Sequence, residues 1–159
     1  MENYTEKLLN EIAKNPLEEK NYLELSNIYI SQNDYNNAMD VYKKLLSFSP
    51  LCVEALINAG SLAYYAGDYD AAINFFYRAT EIETDNFYIY FNLANAYCET
   101  KKYNKAFEYY QKALKLDIDN YLVYNSIGLM YQDMNDMIQA KIYYQKAINF
   151  CPDNSEAFL

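Results

Sequence analysis

Apolar residues recur along this chain at intervals of three and four. Tyr22, Leu25, Ser26 and Tyr29 fall on one face of a first predicted helix. Tyr35, Ala38, Tyr42 and Leu45 do the same for a second, a short polar break later. Small side chains sit among large rings on each face, the pattern expected where two helix axes approach closely. The break itself carries Asn33, a residue that tolerates the left-handed backbone a tight turn needs.

The same pair of faces returns at a shift of 34 residues, superimposing blocks 19–52, 53–86, 87–120 and 121–154. The twentieth position is Ala38, Ala72, Ala106 and Ala140, and the eighth is Ser26, Gly60, Ala94 and Gly128. The twenty-fourth is aromatic throughout: Tyr42, Phe76, Tyr110 and Tyr144. Gly67 and Asn135 fill the turn slot of Asn33, while Pro16, Pro50 and Pro152 fall just past a second helix, where proline ends it at little cost. Residues 1–18 read as a lone second helix, and 155–159 as the start of a truncated fifth block with Phe158 at its fourth position.

This register resembles the tetratricopeptide repeat (TPR) family over the whole chain, because small, aromatic and alanine positions agree at once in four copies. The resemblance implies an all-α fold, a right-handed superhelical solenoid of antiparallel helix pairs. The second block departs from the family pattern, with Leu56 at the fourth position and Ala63 at the eleventh, followed by Tyr64 and Tyr65.

Composition adds exclusions. The chain carries 13 Lys+Arg against 22 Asp+Glu, net −9, which lacks the cationic surplus a nucleic-acid surface needs. With no His, histidine acid-base catalysis and histidine metal ligation are excluded. Cys52, Cys98 and Cys151 are scattered and form no CxxC, which fits a reducing, cytoplasmic setting rather than a disulfide framework or zinc site. No run of 18 apolar residues exists to span a membrane. There is no nucleophile–base pair, phosphate loop or calcium loop, so no enzyme, cofactor or metal is expected.

Of the 20 tyrosines, 12 occupy the fourth, eleventh, seventeenth or twenty-fourth positions and are expected in the core. The family's concave groove is lined from the first helices, which implies peptide-binding roles for the residues left over. Asparagines recur there: Asn27, Asn58, Asn92, Asn95 and Asn125. An amide side chain both donates and accepts, so it can pair with a peptide backbone. Asn58 and Asn92 share the sixth position of successive blocks and resemble the asparagine ladder of the family's sugar-transferase branch. Tyr64, Tyr65, Tyr88 and Phe91 are aromatics beyond those scaffold positions, suited to receive side chains of the ligand.

The basic residues that grip a terminal carboxylate in another branch are missing, since Leu23, Ile57, Tyr88, Asn92, Leu122 and Ser126 occupy those places. Glu24, Glu54, Glu99 and Asp133 favour a neutral or basic peptide instead. A few hydrogen bonds and two buried side chains, less the ordering cost, give affinity on the order of micromolar. The expected function is therefore a non-catalytic protein–protein interaction scaffold. The alternatives are a module that self-assembles into a homo-oligomer through open repeat ends, the C-terminal edge above all, and the targeting arm of a larger enzyme extending beyond residue 159.

Overall fold

The computed structural model describes residues 4–150, and what the sequence leads one to expect of Cys151, Pro152 and residues 155–159 lies outside them. The chain divides into two compact units, 1–82 and 83–159. Among the described residues every regular element is an α-helix, so the fold is all-α. In the first unit α1 (Tyr4–Lys14) packs on α2 (Glu19–Ser31), and α2 pairs with α3 (Tyr35–Phe48). The latter packs on α4 (Val53–Tyr65), which pairs with α5 (Tyr69–Ile82). In the second unit α6 (Phe87–Glu99) pairs with α7 (Tyr103–Leu116), and α8 (Tyr121–Asp133) with α9 (Met137–Phe150), with α7 packed on α8.

The helix pairs close on the small residues. Ala38, Ala72, Ala106 and Ala94 are fully buried, and so is Ser26. A methyl added at Gly60 would meet the Phe76 ring at 2.8 Å, and one at Gly128 would meet the Tyr144 ring at 2.5 Å. The eighth and twenty-fourth positions are thus matched in volume, small against ring. In the second block Ala63 is buried while Tyr65 is 86% exposed, so the alanine takes the inward position and the tyrosine does not.

Each pair turns through the same backbone device. Asn33, Gly67, Lys101 and Asn135 all have positive φ, between 57° and 80°. After each, the next residue's N–H returns to a carbonyl five residues back, as from Asp34 to Tyr29 at 2.8 Å and from Lys102 to Tyr97 at 2.9 Å. This closes the first helix in a Schellman turn. Asp34, Asp68 and Asp136 then cap the second helix by accepting from Asn37, Ala71 and Gln139 N–H groups at 3.1–3.2 Å. The third block has Lys101 and Lys102 in these two slots, and Lys102 makes no side-chain cap.

A second periodic device appears only in three dimensions. Tyr22, Tyr90 and Tyr124, all at the fourth position, donate their hydroxyls to the carbonyls of Pro16, Thr84 and Ile118, six residues earlier, at 2.9–3.0 Å. Each bond ties the loop entering a repeat to its first helix. Leu56 has no hydroxyl to offer. There the equivalent carbonyl, Pro50, accepts from the Arg78 guanidinium at 3.3 Å instead. The chain's single arginine thus stands in for the missing tyrosine.

Candidate functional site

In the first unit α2, α3 and α4 enclose an open pocket of ≈ 470 Å³. Asn27 and Ile30 come from α2, and Asn58, Ser61, Leu62 and Tyr65 from α4, with Ala66 just beyond. Helical spacing explains the grouping: Asn58, Ser61, Leu62 and Tyr65 are three or four residues apart and share one face. Tyr35 and Tyr42 from α3 complete the lining. Three of the expected peptide-binding residues, Asn27, Asn58 and Tyr65, are therefore brought together.

Tyr42 lines this place, and the Ser26 side chain of α2 lies beside its hydroxyl. Tyr42 and Ser26 are fully buried, and neither Tyr42 Oη nor Ser26 Oγ has a hydrogen-bond partner. Burial pushes the Tyr42 pKa up; the Asn58 and Ser26 side chains lie close enough to pull it partly back without reaching hydrogen-bond geometry, and the Glu54 charge adds to the rise. The phenol therefore stays protonated at neutral pH and keeps its proton to donate.

Tyr35 was expected in the core with the other seventeenth-position tyrosines, yet it is 49% exposed. It stands at the first turn of α3, where its hydroxyl donates to Asn33 Oδ1 at 2.9 Å. There it faces the pocket rather than the interior. Tyr64 is half-buried, and its ring lies edge-on to Tyr65 at 5.9 Å and to Tyr69 at 5.3 Å.

The second unit holds the remaining candidates. Tyr110, nearly fully buried, donates its hydroxyl to Asn95 Oδ1 at 2.6 Å, and Cys98 Sγ lies 3.5 Å from the Tyr110 hydroxyl oxygen. Asn95 thus spends its carbonyl on the scaffold, and that bond fixes which way the amide points. Phe91 stacks on Phe87 at 5.7 Å and leans on Tyr110 at 6.2 Å, so much of its ring is held in packing. Tyr88 is 69% exposed, with only an edge contact to Phe87 at 5.4 Å. Asn92 on α6 and Asn125 on α8 are half-buried. Asn58 belongs to the first unit and Asn92 to the second.

Chemistry at these places is limited. Burial pushes the Cys98 thiol up to about 11, the Tyr110 hydrogen bond pulling the other way, so it holds its proton at neutral pH. Among the described residues no cluster of three or more Cys, Asp or Glu groups is suited to a metal ion. No described helix is long and apolar enough to cross a membrane. The sequence reading missed Tyr42 as a pocket residue. The signal was present: Phe76 fills the twenty-fourth position without a hydroxyl, so packing alone does not demand one at Tyr42, Tyr110 or Tyr144.

The paired helices, the alanine positions and the repeated turns define a helical repeat protein. Models of the tetratricopeptide repeat match residues 23–86, 87–120 and 121–154, and the chain belongs to that family. As a TPR array it is a protein-interaction scaffold. Over 58 residues it is 36% identical to the DnaJ homolog subfamily C member 7 homolog of Schizosaccharomyces pombe. That stretch is 36% of this chain and only 12% of the relative's length. A crystal structure of MamA is similar at TM-score 0.86 and 24% identity, over 96% of this chain and 89% of that one. MamA from Desulfovibrio magneticus RS-1 is similar at TM-score 0.86 and 18% identity, over 95% and 85%. At these identities the likeness is one of fold, an all-α TPR solenoid.

Proposed function

We propose that the chain is a non-enzymatic, cytoplasmic scaffold that holds a short, extended, neutral or basic peptide segment along the first helices of its repeats. The observation that carries this reading is the first unit's pocket, which Asn27, Asn58 and Tyr65 line together with Tyr35 and Tyr42. Asn58 and Asn92 pair with the ligand backbone, since a primary amide satisfies a peptide C=O and N–H together. Tyr64, Tyr65, Tyr88 and Phe91 receive its side chains, and Asn27, Asn95 and Asn125 add polar contacts. For Asn95 these come from the amide nitrogen, because its oxygen is taken by Tyr110. Affinity is on the order of micromolar: three or so net hydrogen bonds and two apolar side chains, less the ordering cost of a flexible peptide.

The test is capture from source lysate by wild type and by a chain carrying Asn58→Ala, Tyr65→Ala and Asn92→Ala, with helicity matched by circular dichroism. A partner captured only by wild type, then mapped to one short segment that binds in titration, bears the reading out. Equal capture by both folded chains sinks it.

A further inference from the structure

The four repeats act as controls for one another, and one surface breaks their rule. The eighteenth and twenty-second positions lie on the solvent side of each second helix. In the first three blocks they are Asn36 and Asp40, Asp70 and Asn74, Asn104 and Glu108, all polar and all exposed. In the fourth they are Ile138 and Ile142, 76% and 44% exposed, beside Met137 at 58%. One turn apart on α9, the two isoleucines open onto a shallow depression flanked by Lys141 and Lys146.

A following repeat does not account for this patch. Asn36 and Asp40 stay exposed although α4 packs on α3, and Asn104 and Glu108 stay exposed although α8 packs on α7. The surface that meets the next repeat is the twenty-first position, as Phe107 demonstrates by touching Tyr131 at 6.2 Å and Tyr143 at 6.3 Å. In the fourth block that position is the exposed Lys141. The apolar strip has therefore moved to a side that the repeat stack leaves open. Water-facing isoleucine where three sister positions are polar marks a contact surface.

Charge says what covers it. Helix α9 carries Lys141 and Lys146 and not one acidic residue, in a chain of net −9. Pairing two copies of this strip would set lysines against lysines, which disfavours a second copy. We propose that this face docks an amphipathic helix of a partner protein, with an apolar i, i+4 strip laid against Ile138 and Ile142 and acidic flanks beside the two lysines. This site is separate from the peptide pocket and stands or falls independently of it.

The test uses the full chain and three labelled synthetic helices of equal helicity: a leucine strip with glutamate flanks, the same strip with lysine flanks, and a scrambled glutamate peptide. Fluorescence anisotropy is expected to place the glutamate-flanked helix at least tenfold tighter than either control. The variant Ile138→Asn with Ile142→Asp, which restores the residues of the first block at exposed positions, is expected to weaken it at least tenfold while leaving helicity unchanged. Lys141→Glu is expected to weaken it about fivefold. Equal binding of the two leucine peptides, or a double variant as good as wild type, overturns the proposal. So does a wild-type dimer in sedimentation that the double variant dissolves, or wild-type binding to anionic vesicles that the double variant loses, since each names a different occupant.

Discussion

Lys101 is the sharpest place to test the account of the turns. It holds φ 57° in the slot where the other blocks use Gly67, Asn33 and Asn135. A left-handed backbone costs a non-glycine residue roughly 1–2 kcal/mol. Replacing it with glycine removes that strain but gives the unfolded chain about 0.4–1 kcal/mol more entropy to lose. Lys101→Gly is therefore expected to stabilise by about 0.5–1 kcal/mol, raising Tm by roughly 1–4 °C for a chain of this length. Lys101→Ala removes the same charge and keeps the strain, so it is expected to give no comparable gain. The mirror change is Gly67→Ala, where φ is 80° and an added methyl meets nothing within 4 Å. With no packing change to confuse it, that variant is expected to lose about 0.5–1 kcal/mol. Urea unfolding followed by circular dichroism, backed by hydrogen exchange in α6 and α7, reads all three. If Lys101→Ala stabilises as much as Lys101→Gly, charge and not backbone geometry governs the site, and the reasoning is wrong.

Two other predictions follow from the periodic bonds and the buried thiol. Tyr90→Phe, which removes the hydroxyl bonded to Thr84 and little else, is expected to cost about 0.5–1.5 kcal/mol in urea unfolding, and a loss below 0.2 would show the bond to be idle. With Cys52→Ser and Cys151→Ser in place, Cys98 at pH 8 is expected to react with iodoacetamide on the order of 100-fold more slowly than in the urea-unfolded chain. Its folded pKa is raised to about 11 from an ordinary value near 9. The native state prefers the protonated thiol, so this contribution to stability is whole below pH 9 and is lost as pH rises towards 11. Stability that rises over that window would contradict the sign.

The family and the all-α fold were legible because they rest on local physics repeated four times. A 3.6-residue period, a small residue against a ring, and a turn residue that tolerates positive φ each leave a residue-level trace, and the 34-residue shift multiplies it. Lys101 was not legible as a left-handed residue by its own chemistry; its register alone gives it away. The place of Ala63 inside and Tyr65 outside needed the backbone, since either tyrosine could satisfy an aromatic pattern within one helical turn.

The candidate site was legible only in part. The sequence by itself determined the repeat register and the alanine and small-residue scaffold positions, because these are set by spacing along one chain, but not that Tyr35 turns outward or that Asn95 is drawn into the packing. Only the tertiary structure decided what the leftover groups face. It set Asn27, Asn58 and Tyr65 around one pocket, left the Tyr42 hydroxyl without a partner, and spent the Asn95 carbonyl on Tyr110. The same is true of Arg78, whose service to the Pro50 carbonyl spans 28 residues of sequence. Hydrogen bonds between helices depend on distances of tenths of an ångström between side chains remote in the chain. Periodicity carries no information at that scale, whereas close packing of rings against small residues fixes it.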